Sequence, residues 1–348
     1  MKLPHTTNKQ RIGLFLAVIL SGIFLTATFL FSNNPKSLAN ILQELEVNGF
    51  SGAILIAQGA TIHHNDGYGF ASCDDTVPNT SDTVFAIGSI TKMFTATAIG
   101  QLDDEERLSL DEPISRYFDS VPEDKTSITI RQLVEHTSGL QTYHETAGLG
   151  DFEAVTREEA LTEILSRPLE FAPGDDENYS NSGYTLLALL IEQVSGQTYT
   201  DYIREHILAP AGMTSTGFWG ENFTPIASTP NQVVGCSSPD TWDYSWILVG
   251  NGGMLSTTGD LHRWVLALQG NAVLSERAKQ QLGFDQALHH GFGDAGGSDQ
   301  HEFNATIEYS GASTDVMVIA ISNRNTIIAE DVAAEQLLPA ALSDLSES

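Results

Sequence analysis

Basic residues are scarce in this 348-residue chain, with 16 lysines and arginines against 45 acidic residues and a formal net charge of −29. Nucleic acid needs basic patches against its phosphates, so that class of partner is excluded. No long run of one sign accounts for the imbalance. It reads as a solvated acidic surface, consistent with a high-salt habitat, and Asp103-Asp-Glu-Glu106 fits an exposed helix face. Cysteine is nearly absent too. Cys73 and Cys236 are too few for a disulfide framework or a metal-ligand set. We expect two independent buried thiols, with one bridge in an oxidising compartment as the alternative. The histidines form no His-Glu-x-x-His pattern, so neither a metal nor another cofactor is expected. Internal repeats and low-complexity stretches are also missing.

What is present fits a globular enzyme. The chain is 41% hydrophobic with 30 glycines, long enough for a full core in one large or two ordinary domains.

Lys2, Lys9 and Arg11 precede an apolar run, Ile12 to Phe31. Twenty helical residues reach about 30 Å, enough to cross a hydrocarbon core. The expectation is an uncleaved anchor within residues 1–35, its basic end inside and the remainder outside the bacterial inner membrane. A cleaved signal, with Ser37-Leu-Ala39 as the site and a secreted or periplasmic product, is the alternative.

Beyond the anchor, Ser37–Val47 reads as an amphipathic helix, and Gly52–Ala57 and Thr61–His64 as two strands joined by a Gly-containing turn. Helical patterns dominate from about Thr83 to Gln281. Strands return at Ala305–Tyr309 and Val316–Ser322, then a helix around Glu330–Leu342. Strands at both ends of a helical middle predict an α/β (α+β) fold: one antiparallel sheet built from the two termini, flanked by helices, with a mostly helical region inserted. The α/β part would span about 36–82 and 285–345, the helical part about 83–284.

Two short motifs carry chemistry. Ser89 and Lys92 lie three residues apart in Phe85-Ala-Ile-Gly-Ser-Ile-Thr-Lys-Met-Phe94. A helix starting here puts hydroxyl and amine on one face, one turn apart. A serine becomes a nucleophile when a neighbouring base takes its proton, and a lysine serves only if its amine is kept neutral. A lone Ser-x-x-Lys also fits a surface serine and lysine. Tyr179 and Asn181 fall on a turn-rich segment, Pro173 to Tyr184, just before the apolar run Leu186–Ile191. The phenol can shuttle a proton, and the amide can hold an acyl-amide group. In isolation they also fit a packing tyrosine and a helix cap.

Together the two motifs resemble the penicillin-recognising serine hydrolases, in the class C β-lactamase-related branch of esterases and D-peptidases. Further segments follow in that family's order: Ile128 to Leu140 with its His-Thr-Ser-Gly-Leu, Tyr202–Phe218, Gly250-Asn-Gly-Gly-Met-Leu-Ser-Thr-Thr-Gly-Asp-Leu261, and Val316–Asn323. The resemblance covers residues 40–345 and implies a β-lactamase/transpeptidase-like fold with the site in the groove between its two parts. It implies an acyl-enzyme on Ser89, a base shared by Lys92 and Tyr179, and an acyl-side contact from Asn181. His136, in the His-Thr-Ser-Gly segment, is expected to be structural and to bond its own loop.

The third motif departs from the family. A Lys- or His-x-Gly box should precede the C-terminal strands. Gly293-Asp-Ala-Gly-Gly-Ser-Asp299 has the glycine pattern but places Asp294 at the cationic position. This alignment puts Asp294, Gly296 and Gly297 against the substrate, with Gly297 supplying the second oxyanion N–H. His289-His-Gly291, His301 or a plain glycine-rich loop are the alternatives. An aspartate there disfavours a substrate carboxylate, so the expectation is an esterase or amidase for a neutral or cationic small-molecule or peptide acyl substrate. A D-alanyl-D-alanine carboxypeptidase or β-lactamase, and a catalytically weak membrane-anchored binding protein, are the alternatives.

Overall fold

The computed structural model describes residues 36–143, 151–230, 235–290, 292–298, 303–324, 327 and 329–346. The expected anchor Ile12–Phe31 lies outside the described residues, and among those described no helix is long and apolar enough to cross a membrane.

The chain enters through helix α1 (Leu38–Val47), whose Ile41 and Leu45 are buried, and turns into strands β1 (Gly52–Gln58) and β2 (Thr61–Tyr68). It returns at the far end through β6 (Phe292–Ser298), β7 (Phe303–Tyr309) and β8 (Val316–Ser322). These strands make one antiparallel sheet in the order β2-β1-β8-β7-β6. The termini meet at its centre, where Ala53 pairs with Ile321 and Leu55 with Ile319.

Every residue of β8 is buried, because both faces of the sheet are covered. Ala53, Leu55, Ile319 and Ile321 face the large core shared with the helical region. Their alternating neighbours Ile54, Ile56, Val318 and Ala320 pack against α1 and the C-terminal helices instead. Truncating Ile319, which is 0% exposed, to alanine would therefore cost about 2–5 kcal/mol.

Between the two halves of the sheet lies the helical region. Its centre is α2 (Thr91–Asp104), buried around most of its circumference and packed on α3 (Asn181–Ser195) through the Leu186–Ile191 run. This region also holds a three-stranded sheet that the sequence did not announce: β3 (Phe85–Ala86), β5 (Met254–Ser256) and β4 (Gly217–Phe218), in that order. Strands of two or three residues show no alternating pattern to read.

Two expectations are corrected. β2 continues four residues past His64 to Tyr68, held by its pairing to β1 as far as Gly52. Cys73 and Cys236 are exposed and bonded to each other, where independent buried thiols were expected. Residues 163 positions apart in sequence give no sign of such proximity; the fold brings their Cα atoms to 6.1 Å.

Candidate active site

Ser89 lies in a short 3-10 turn, Gly88–Ile90, between β3 and the start of α2 at Thr91. Gly88 has a φ of +50°, a left-handed conformation that residues with a Cβ rarely adopt, and it bends the strand into the helix. Lys92 follows one turn on and is 6% exposed. Its ammonium donates to Ser89 Oγ at 3.0 Å and to the Asn251 carbonyl at 2.7 Å. It also sits 4.6 Å from the centre of the Tyr179 ring.

The Asn251 carbonyl is itself held in place. The Asn251 side chain donates to Thr185 Oγ1 at 2.9 Å and to the Ile247 carbonyl at 2.8 Å. The preceding Gly250, at φ +83°, lies so near α3 that a Cβ would stand 2.6 Å from the Tyr184 carbonyl oxygen. Lys92 thus has a fixed acceptor beneath it, and sequence reasoning assigned Asn251 no role. The only trace was the Gly250-Asn-Gly-Gly segment.

Tyr179 comes from the loop before α3, and its phenolic oxygen is 2.5 Å from Ser89 Oγ. Asn181 was placed on that loop too, but it is the first residue of the helix. Ser180 is the cap, its hydroxyl accepting from the Gly183 N–H at 3.3 Å, while the Asn181 N–H donates to Thr142 Oγ1 at 3.2 Å. The structure therefore brings Ser89, Lys92 and Tyr179 into one hydrogen-bonded group, with Asn181 two residues beyond the phenol.

His136 does not bond its own loop through its side chain. Its Nδ1 accepts from the Ser180 N–H at 3.1 Å, and its carbonyl accepts from the Asn178 N–H at 3.0 Å. The ring lies 4.7 Å from that of Tyr179 and 5.1 Å from that of Tyr184. Burial, with the Lys92 charge beside it, pushes the imidazole down to about 4.

The glycine-rich third segment is a strand, the alternative of a plain loop being excluded by its continuous pairing with β7. β6 is the edge of the large sheet and runs alongside the turn that carries Ser89. Asp294 stands opposite Ile307, Gly296 opposite Ala305 and Gly297 opposite Asn304. Of the alternatives, His289 and His290 end a short helix, Phe284–His290, while Gly291 and His301 lie outside the described residues. Asp175, Asp176 and Glu177 are exposed on the loop that leads to Tyr179. Among the described residues no group of three or more His, Cys, Asp or Glu side chains is arranged to hold a metal ion.

Comparisons with known proteins bear on the family and the fold. PbpX of Bacillus subtilis strain 168 is 36% identical over 184 residues, 53% of this chain and 44% of that protein, so the match spans less than half of its length. A penicillin-binding protein of the same organism is 28% identical over 324 residues, 85% of this chain and 71% of that protein. Among solved structures, a penicillin binding protein from Bacillus halodurans superposes with a TM-score of 0.71 at 25% identity, over 88% of this chain and 99% of the other. The fold is the β-lactamase/transpeptidase-like one, with mixed helices and antiparallel sheets. A family model described as Beta-lactamase matches residues 38–329, and the chain belongs to that family.

Proposed function

We propose that residues 36–345 form a serine hydrolase domain that cleaves esters or amides through an acyl-enzyme on Ser89. The observation that carries the reading is that Ser89 Oγ lies within hydrogen-bonding distance of a phenol oxygen able to take its proton, Tyr179 at 2.5 Å, and of the Lys92 ammonium, at 3.0 Å, whose charge favours that transfer. In acylation the Oγ–carbon bond forms as the serine proton passes to the Tyr179 oxygen, with the Lys92 cation stabilising the phenolate. Collapse of the tetrahedral intermediate breaks the bond to the leaving alcohol or amine, which takes that proton away. Water then attacks the acyl carbon by the same route and releases the acid.

Asn181 would hold the acyl side of the substrate. The N–H groups of Ser89 and Gly297 would receive the oxyanion; such a donor contributes about 2.7–4 kcal/mol to the barrier. The strand register that sets β6 beside the serine turn supports this assignment for Asp294, Gly296 and Gly297.

Asp294 also sets the substrate class. A carboxylate at ~4 Å from a substrate carboxylate, at an effective dielectric of about 20, repels it by about 4 kcal/mol. With Asp175, Asp176 and Glu177 on the loop to Tyr179, the charge favours neutral or cationic acyl groups. The exposed Cys73–Cys236 bond supports an oxidising, extracytoplasmic compartment, in keeping with an N-terminal anchor at residues 12–31. The test is a burst assay with p-nitrophenyl acetate and butyrate beside Ser89→Ala. A serine-dependent burst is expected; no burst and no covalent adduct would overturn the reading. The second reading, D-peptidase action, draws support from the relatives named penicillin-binding proteins and would appear as faster release of D-alanine than of nitrophenol.

A further inference from the structure

We propose that His136 is a positioning residue for Tyr179, clamping it from below through an unprotonated Nδ1 so that its phenol meets Ser89. This rests on the reading of Ser89 and Tyr179 as a catalytic pair.

Tyr179 is 49% exposed, in a loop, yet its oxygen lies within 2.5 Å of the serine oxygen. An exposed loop side chain is not held to such a tolerance by burial, so its backbone must be fixed. The two peptide N–H groups that flank it both donate to one residue. Asn178 N–H goes to the His136 carbonyl at 3.0 Å, and Ser180 N–H goes to His136 Nδ1 at 3.1 Å. The imidazole also lies against the Tyr179 ring, 4.7 Å between centres with the planes 32° apart. On the same ring sits Lys92 Nζ, 4.6 Å from its centre. The phenol is thus bracketed by imidazole, ammonium and hydroxyl.

His136 takes this place in an unfavourable backbone state. Its φ is +58°, a region residues other than glycine seldom occupy, asparagine and histidine among the exceptions. Backbone geometry alone would be met by glycine, so the histidine is explained by what its ring does.

The arrangement fixes the tautomer. Nδ1 accepts, so the neutral ring must carry its proton on Nε2. A second proton would turn Nδ1 into a donor facing the Ser180 N–H and would place a cation beside Lys92. Among the described residues, the ionisable groups that face the ring are Lys92 from α2, Tyr179 from the loop and Tyr184 from α3. Acid should therefore open the clamp and withdraw the phenol from Ser89 while the serine itself stays intact.

Two variants separate acceptor from ring. His136→Phe keeps the ring and removes the acceptor; His136→Asn keeps an acceptor near Nδ1, tolerates the positive φ and cannot be protonated. At pH 7, His136→Phe should slow the burst about 10–100-fold with KM within about threefold. His136→Asn should recover most of that loss, and its rate should fall less with acid than that of the parent, which loses both the base and the clamp. Ring 15N NMR of the parent should show the Nε2–H tautomer with Nδ1 unprotonated, which no general loss of packing would produce. A His136→Phe variant as fast as the parent, or an Nδ1–H tautomer in the parent, would overturn the clamp. If the parent gives no serine-dependent burst, the hydrolase reading fails, and the 15N tautomer still decides whether the clamp exists.

Discussion

The phenolic oxygen of Tyr179 is closer to Ser89 Oγ than the Lys92 ammonium is, at 2.5 Å against 3.0 Å, although the lysine is buried and the tyrosine half-exposed. In the proposed mechanism the two groups divide the work: Tyr179 would receive the serine proton, and Lys92, tied to the Asn251 carbonyl at 2.7 Å, would hold a cation beside the phenol. Tyr179→Phe should lower the acylation rate constant by about 10²–10⁴-fold with KM little changed, the usual worth of a positioned base. Lys92→Met should lose as much or more, because it removes the cation beside both the phenol and the serine oxygen. Stopped-flow burst rates measure both, and a Tyr179→Phe enzyme at parental speed would return the base role to lysine alone.

His136 also links the site to stability. Its folded-state pKa is held down to about 4 against an ordinary 6.5, by burial first and the Lys92 charge second. Above pH 6.5 neither state binds the proton. Between 6.5 and 4 the unfolded chain takes it and the folded one does not, so stability falls with pH through that window. His64 and His262 are also pushed down by burial and add a loss of the same sign. The informative comparison is the parent against His136→Asn, by urea unfolding at pH 7.5 and 4.5. The variant should lose less stability on acidification; equal losses would mean that the imidazole is not held neutral.

Much of this was legible in the sequence for a physical reason. The serine, lysine and tyrosine sit on local signals that are ambiguous singly, a helical spacing for Ser89 and Lys92 and a turn before an apolar run for Tyr179, and the resemblance of several ordered segments to one family joined them into one expected site. The central strands β1 and β8 showed as apolar runs because both of their faces are covered. What was hidden depends on contacts between distant segments. Asn251 meets Lys92 across 159 residues. His136 reaches Ser180 across 44. Neither carries a local pattern beyond the short segments that contain them. The three-stranded sheet was missed because its strands are too short to alternate.

Asp294 offers a test of specificity. The proposed site lacks a cation at the third motif, so anionic acyl substrates should be poor. Asp294→Lys reverses the charge at that position, and kcat/KM for an anionic cephalosporin should rise by about tenfold or more, given the ~4 kcal/mol that one such repulsion reaches at ~4 Å. Turnover of p-nitrophenyl acetate should move far less, since it carries no charge to sense. Efficient cephalosporin turnover by the parent would remove Asp294 from the substrate side.

The Cys73–Cys236 bond gives the last prediction. It joins two exposed loops across 163 residues of chain. One of them, the 72–77 turn, is also tied to the C-terminal half by Arg324, which donates to the Ser72 carbonyl at 3.0 Å and to Asp75 at 2.5 Å. That salt bridge is partly exposed and contributes at most about 1 kcal/mol. A cross-link spanning so long a loop acts chiefly by restricting the unfolded chain, and its removal should cost about 2–4 kcal/mol. The double variant Cys73→Ser with Cys236→Ser should therefore unfold at a clearly lower urea concentration than the oxidised parent. The reduced parent should match the double variant. Coincident midpoints for the oxidised parent and the double variant would show that restricting the unfolded chain through this bond adds no net stability.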